Sequence, residues 1–277
     1  CGAADERYGE AGRLGREGAG RTDRQSGRIE QKEKREKLEK ERDRMSVGNR
    51  VFLKRNLPAR ELVEEFRNLP AANVADTMGR SCALSSEIRL ISSPKQAMAG
   101  AALTVKARPG DNLMLHKALD MAGEGDVIIV SNDGDRTHSL MGEIMAVYGA
   151  YTRKIAGIVL DGPIRDIEEL SQMEMPLYAT GSTPGGPYKE GPGEVNVPIS
   201  IGNIAVMPGD IILGDKDGVI VIPRKDAPEI LEAAKKYAVL DAGKVEAAKN
   251  GTSKRQWVED TLVKKQVEII DGAYEEE

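Results

Sequence analysis

The sequence predicts a mixed α/β domain, and two observations predict it. Between residues 60 and 180, apolar runs of strand length alternate with stretches of helical periodicity. After residue 195, short strand-like runs follow one another, with tight-turn signals at Pro208-Gly209-Asp210 and Lys216-Asp217-Gly218. Helical crossovers join parallel strands and tight turns join antiparallel ones. The two halves therefore call for mixed sheets in two packed layers, not a doubly wound sheet or a sandwich.

Residues 60–68 and 71–78 are expected as short helices, the first amphipathic, ahead of strands at 87–91 and 99–107. Pro109-Gly110-Asp111 makes a turn, and Asp111 caps a helix over 112–122. Gly125-Asp126 leads into a strand at 127–131. A polar loop, 132–138, precedes a helix over about 139–152. A strand at 155–160, a helix at 164–171 and a strand at 176–180 complete the alternating half. Residues 181–194, rich in glycine and proline, are too long for a mere connector, and such loops tend to be functional or mobile. Strands at 195–199, 203–206, 210–214 and 218–222 follow. Two helices then fill 226–271, separated near Asn250-Gly251.

Composition sets limits on function. Residues 1–44 hold 13 Lys+Arg and 11 Asp+Glu, with Leu14, Ile29 and Leu38 as the only aliphatics larger than alanine. Such a segment buries no core, so it reads as a disordered charged tail with a charged helix over 28–44, and Met45 as the native start. The expected organisation is the tail 1–44, a folded domain over 45–235 and a helical extension over 236–277. Beyond the tail, 27 Lys+Arg face 34 Asp+Glu, an acidic balance that argues against a nucleic-acid surface. Cys1 and Cys82 are too few for a disulfide framework or a zinc site. No run approaches ~18 apolar residues, so no membrane span is expected. Without a signal-peptide core, the cytoplasm is the expected compartment.

Chemistry concentrates at residues 157–166. An apolar run from Ile155 to Leu160 stops at Asp161-Gly162, and Pro163 opens a turn. Arg165 and Asp166 thus lie just past a strand's C-terminal end, where open α/β sheets bind ligands. Arg165 can grip a carboxylate or enolate oxygen with two donors. Asp166 can hold a hard divalent cation, directly or through water. Glu143 falls in the first turn of the preceding helix. The N–H groups of Gly142, Glu143, Ile144 and Met145 are partly unpaired there and form a seat for a carboxylate. Gly142 lets a ligand approach the backbone closely. Each feature has a plainer reading, a helix start for Arg165-Asp166 and dipole complementarity for Glu143. Together they suit an anionic oxo-acid that reacts on a metal.

At these residues the sequence resembles the RraA-like family, which includes the class II 4-hydroxy-4-methyl-2-oxoglutarate aldolases that also decarboxylate oxaloacetate. The resemblance is carried by residues 73–80, by Pro109-Gly110-Asp111-Asn112-Leu113-Met114 with His116-Lys117-Ala118, and by Gly142-Glu143-Ile144-Met145. It continues through 155–166, Thr183-Pro184-Gly185-Gly186-Pro187, and Gly214-Asp215-Lys216-Asp217-Gly218 to Pro223. These segments occur in order over roughly 60–235. The resemblance implies an α/β/β/α layered, swivelling-type fold with mixed sheets. It also implies homotrimers, often paired into homohexamers, with active sites between subunits, and a Mg²⁺ or Mn²⁺ cofactor. Carried onto this chain, Gly142, Glu143, Ile144 and Met145 would seat the carboxylate of a small 2-oxo acid. Arg165 would bind its oxygens and stabilise the enolate. Asp166 would hold the metal, with Glu143 supporting it through water and a further acid coming from a neighbouring subunit. The implied activity is lyase cleavage to pyruvate, and oxaloacetate decarboxylation passes through the same enolate. Twenty-one residues separate Glu143 from Arg165, one more than the family's pattern, and 149–154 is where an extra residue fits.

Rival readings are weaker. A Schiff-base aldolase needs a desolvated lysine, and Lys106, Lys117 and Lys154 are poor candidates. His138 reads as a solvated loop histidine and His116 as a helix surface or interface residue. The glycine loop lacks a Gly-Lys-Ser/Thr ending for a nucleotide. No Gly-x-Gly-x-Gly turn after a strand supports methyl transfer. The alternative from another class is a non-catalytic, protein-binding regulator of an RNA-degrading enzyme.

Overall fold

The computed structural model describes residues 47–274; the charged tail 1–44, its expected helix and the expected start at Met45 lie outside the described residues. The unit that carries the fold begins at Asn49. Its seam is β3 (Met98–Ala107). One edge of β3 pairs in parallel with β4 (Asp126–Ser131), and the sheet continues through β5 (Gly157–Leu160) to β6 (Leu177–Ala179). The other edge is shared by two antiparallel strands. β10 (Ile211–Asp215) takes the stretch from Met98 to Ala101, and β7 (Gly193–Val195) takes the stretch from Val105 to Ala107. β11 (Gly218–Ile222) extends β10 as a hairpin. β1 (Arg50–Val51) lies beside β7, and β2 (Arg89–Leu90) lies beside β6. β8 (Ile199–Ile201) and β9 (Ile204–Val206) form a separate hairpin.

The helices are α1 (Arg60–Arg67), α2 (Ala71–Thr77), α3 (Leu113–Met121), α4 (Glu143–Val147), α5 (Ile167–Ser171), α6 (Ala227–Lys249) and α7 (Gln256–Lys264). Successive strand residues face opposite sides, and this turns the pairing into layers. In β4, Ile128 and Val130 meet Leu115, Ala118 and Leu119 of α3. Val127 and Ile129 face the other way, towards Val219 and Val221 of β11. In β11, Ile220 and Ile222 turn outward to Phe66 of α1, Val74 of α2 and Leu231 of α6. The order is α/β/β/α with mixed strands, the architecture the sequence implied.

β3 supplies all three cores. Its even-numbered Met98 and Ala102 stay between the sheets. Ala99 meets the outer helices α1, α2 and α6, whereas Leu103 and Val105 meet α3. Tyr178 of β6 is fully buried between the sheets and donates its hydroxyl to Asp215 O at 2.9 Å, tying β6 to the end of β10. Burial pushes the Tyr178 phenol well above its ordinary range, so it stays a neutral donor.

Local details depart from the sequence expectations. The helix expected from 139 begins at Glu143, because Ser139 and Leu140 donate instead to Gly185 O and Pro163 O. The strand expected at 195–199 breaks at Asn196, which is left-handed at φ 58°. α6 crosses residue 235 without a break. Among the described residues, no helix is long and apolar enough to cross a membrane.

The seam tolerates no extra volume at Gly100, where a Cβ would lie 2.4 Å from Gly125 O and 2.7 Å from Val127 Cγ2. Gly100→Ala is expected to destabilise the domain by about 1–3 kcal/mol through overpacking against backbone. The readout is a lower urea midpoint at constant slope, and an unchanged midpoint would contradict the close approach.

Candidate active site

The segment that follows β5 is held on both sides. Leu140 N donates to Pro163 O at 2.9 Å and Arg165 N donates to Met141 O at 3.0 Å. On the opposite side, Ile164 N donates to Gly181 O and Thr183 N donates to Ile164 O, both at 2.9 Å. Ile164 is fully buried between these two ladders. The next two residues therefore emerge at a set place, beside the start of α4.

Asp166 adopts the left-handed conformation, φ 59° and ψ 45°, which aspartate tolerates better than most residues. The turn sends its carboxylate towards Gly142. Asp166 Oδ2 accepts the Glu143 N–H at 2.9 Å. Gly142 makes this possible, since a Cβ there would sit 2.2 Å from Oδ2 and 3.1 Å from Arg165 Cγ. Arg165 Nε lies 3.8 Å from the same oxygen, and both side chains stay close to half exposed. The N–H groups of Ile144 and Met145 bond no acceptor among the described residues.

A cleft of about 390 Å³ opens here. Gly142, Ile144, Met145, Arg165 and Asp166 line it, so five of the six expected site residues gather in one place. Glu143 is the exception. It contributes its peptide N–H to Asp166, while its exposed carboxylate is not among the lining groups. The reason is helical: Gly142 faces the Arg165-Asp166 pair, and the next residue is rotated by about 100°. α4 runs into a π-helical turn over Tyr148–Arg153, within the stretch that separates Glu143 from Arg165.

The opposite wall was not legible in the sequence. It comprises Asn112 and His116 of the α3 start, Ser139, and Lys189 from the glycine-rich loop. The fully buried Asp111 carboxylate assembles it. Asp111 Oδ1 accepts the Leu113 N–H at 2.9 Å, and Oδ2 accepts Glu190 N at 2.7 Å and Gly191 N at 2.8 Å. The expected helix-start role of Asp111 is thus real, and the same side chain also clamps the loop that delivers Lys189. Burial first, and then the Lys189 charge, pull the His116 imidazole below its ordinary value, while Asp120 opposes them. His116 is therefore neutral at pH 7, and the cleft's formal charges are Arg165 and Lys189 against Asp166.

His138 stands elsewhere, with its ring 4.8 Å from that of Tyr188 and its Nδ1 2.8 Å from Thr137 Oγ1. Lys106, Lys117 and Lys154 are exposed and none lines the cleft. Among the described residues, no three His, Cys, Asp or Glu side chains gather as a metal cage.

A family model described as RraA-like, Aldolase/RraA, matches residues 71–221. A Halalkalibacterium halodurans protein, provisionally named a 4-hydroxy-4-methyl-2-oxoglutarate aldolase, is 37% identical over 187 residues, covering 68% of this chain and 88% of that protein. A solved structure from Pseudomonas syringae pv. tomato, described as uncharacterised, superposes with a TM-score of 0.62 at 26% identity, covering 72% of this chain and 97% of that one. The RNA-processing inhibitor RraA from Thermus thermophilus superposes with a TM-score of 0.51 at 30% identity, over 56% of this chain and 92% of that one. With its ordered motifs, its four layers and a family match spanning more than half its length, this chain belongs to the RraA-like family.

Proposed function

We propose that the chain is a divalent-metal-dependent lyase that cleaves 4-hydroxy-4-methyl-2-oxoglutarate-type acids to pyruvate and decarboxylates oxaloacetate at the same site. The observation that carries this reading is the convergence of Arg165 and Asp166 on the start of α4 within one cleft. The aldolase name of the Halalkalibacterium relative supports it.

The donor set fits a hard, largely hydrated cation. Among the described residues Asp166 is the one carboxylate that lines the cleft, its side chain is 40% exposed, and they offer no all-protein cage. Mg²⁺ keeps several waters and takes one or two carboxylates, and Mn²⁺ accepts the same oxygen donors. Asp166 would hold the ion, which when bound supplies Lewis acidity towards the 2-oxo group. The chain's own groups do the rest. Ile144 and Met145 line the cleft, and their N–H groups, without an acceptor among the described residues, suit the substrate carboxylate. Arg165 holds an oxygen of the acid and meets the negative charge that grows as the C–C bond breaks. Such a fixed donor contributes about 3–4 kcal/mol. Lys189 adds long-range attraction for a dianionic acid.

We propose further that the chain assembles as three or six copies. One carboxylate is a sparse acid complement for proton transfer, and a second subunit is the source we propose for the missing acid. The alternative, a protein-binding regulator of an RNA-degrading enzyme, draws on the name of the Thermus structure. It draws also on Ile144, Val147, Tyr148 and Tyr151, an exposed apolar stripe beside the cleft.

Pyruvate release from oxaloacetate and from 4-hydroxy-4-methyl-2-oxoglutarate tests the reading. Arg165→Ala should lower kcat/KM for both substrates by about 10²–10³-fold with an unchanged melting temperature. A chelator should abolish turnover, and added Mg²⁺ or Mn²⁺ should restore it. Gly142→Ala should cost about 10²-fold in kcat, because the Cβ displaces Asp166 and Arg165 while the cores stay intact. No turnover with either metal would leave the regulator reading standing.

A further inference from the structure

His116 is a cleft-lining group to which the lyase reading gives no task. Its N–H donates to Asn112 O at 3.0 Å, which sets it one helical turn beyond Asn112 on the same face of α3, and both residues line the cleft. Helical side chains lean towards the N-terminus of their helix, and that end of α3 opens on the cleft. The imidazole has no hydrogen-bond partner among the described residues; burial and the charges of Lys189 and Asp120 are what act on it. The residue is half-buried, yet neither ring nitrogen is sealed, in contrast to Asn112 Oδ1. Among the described lining groups, His116 is also the one suited to take up a proton near pH 7. Arg165 and Lys189 are cations, and Ser139 donates its hydroxyl to Gly185 O. The Asp166 carboxylate accepts the Glu143 N–H and would hold the metal ion.

Cleavage of a 4-hydroxy-2-oxo acid calls for such a group, because the C4 hydroxyl must lose its proton as the bond breaks. With the oxygens at C1 and C2 held by the α4 start and Arg165, C3 and C4 extend towards the opposite wall, where His116 and Lys189 stand. Lys189 suits the far carboxylate, and the C4 hydroxyl is next to that carboxylate. We propose that His116 is the general base of the aldol cleavage and takes the proton of the C4 hydroxyl. The electron pair of the O–H bond becomes the second C4–O bond, the C3–C4 bond breaks, and its pair passes into the pyruvate enolate that Arg165 stabilises. C3 then takes a proton from the acid placed above on a second subunit, and the imidazolium returns its own to water. Oxaloacetate loses carbon dioxide from a carboxylate that is already ionised, so its decarboxylation has no counterpart to the hydroxyl step. His116 thereby separates the two reactions of the lyase reading, on which this role rests.

His116→Gln removes the base and keeps most of the volume. The ratio of kcat/KM for 4-hydroxy-4-methyl-2-oxoglutarate to that for oxaloacetate should fall about 10²-fold. A general loss of folding lowers both reactions and leaves the ratio alone. In His116→Ala, added imidazole should restore cleavage of the hydroxy acid and not decarboxylation, a response that a purely structural role does not give. Where neither variant folds, the wild-type pH profile decides. The neutral imidazole is the active form, so kcat/KM for the hydroxy acid should fall with pH along a limb below the ordinary imidazole value of 6.5. The charges around the ring are Asp120 of its own helix and Lys189 of the glycine-rich loop, with Arg165 and Asp166 across the cleft. A change at Arg165 or Asp166 lowers both reactions, so the diagnostic limb is present for the hydroxy acid and absent for oxaloacetate. An unchanged ratio in folded His116→Gln, or the same limb for both acids in the wild-type protein, overturns the role of His116 and leaves the lyase reading intact. A wild-type protein that turns over neither acid with Mg²⁺ or Mn²⁺ overturns both.

Discussion

The strand β3 is the constraint on which the molecule depends. It shares one edge with β4 and divides the other between β10 and β7, so two sheets that would otherwise be separate are hydrogen-bonded through a single strand. Because its side chains alternate, the same strand feeds the inter-sheet core and both outer cores. A one-residue slip would exchange those faces at once, placing Met98 and Ala102 where Ala99 and Leu103 belong. The register is therefore enforced by three cores together. That rigidity is transmitted to β4 and β5, whose C-terminal ends carry the candidate site.

From β5 onward the order is kept by backbone bonds and not by side-chain packing alone. Ile164 lies between two short ladders, and the residues after it have little choice of direction. Asp166 then caps α4 from outside that helix, so the catalytic candidate and the helix start hold each other in place. The arrangement has a cost. A non-glycine residue in the left-handed region stores about 1–3 kcal/mol, and such strain is common at functional sites. A second buried carboxylate, Asp111, does the corresponding work on the opposite wall, where three peptide N–H groups converge on it.

The contrast between the two walls explains which site residues could be anticipated. Arg165 and Asp166 lie next to each other in sequence and just after a strand, and Gly142 with Ile144 and Met145 opens the helix after the preceding strand. Parallel pairing of β4 and β5 makes neighbours of those places, so local patterns were enough. Lys189 carries no local signal, because its position depends on a clamp made by a residue 78 positions earlier. The Asn112 side chain likewise reads as one more polar residue near a helix start until its burial and its unpaired oxygen are known. Glu143 shows the reverse case: a carboxylate at the right place in the sequence whose backbone, not its side chain, reaches the site.

By itself, the sequence determined the alternation of strands and helices, the hairpin-rich second half, the family and the Arg165-Asp166 focus, since periodicity and turn chemistry are local properties written in nearby residues. The π-helical turn over Tyr148–Arg153, after which Ile155 N donates to Gly149 O, was decided by the fold. Only the tertiary structure decided the sharing of β3, the burial of Asn112 and Asp111, and the approach of Lys189 and His116. Those are contacts between residues far apart in the chain, and they come into being only when distant segments meet around a common core.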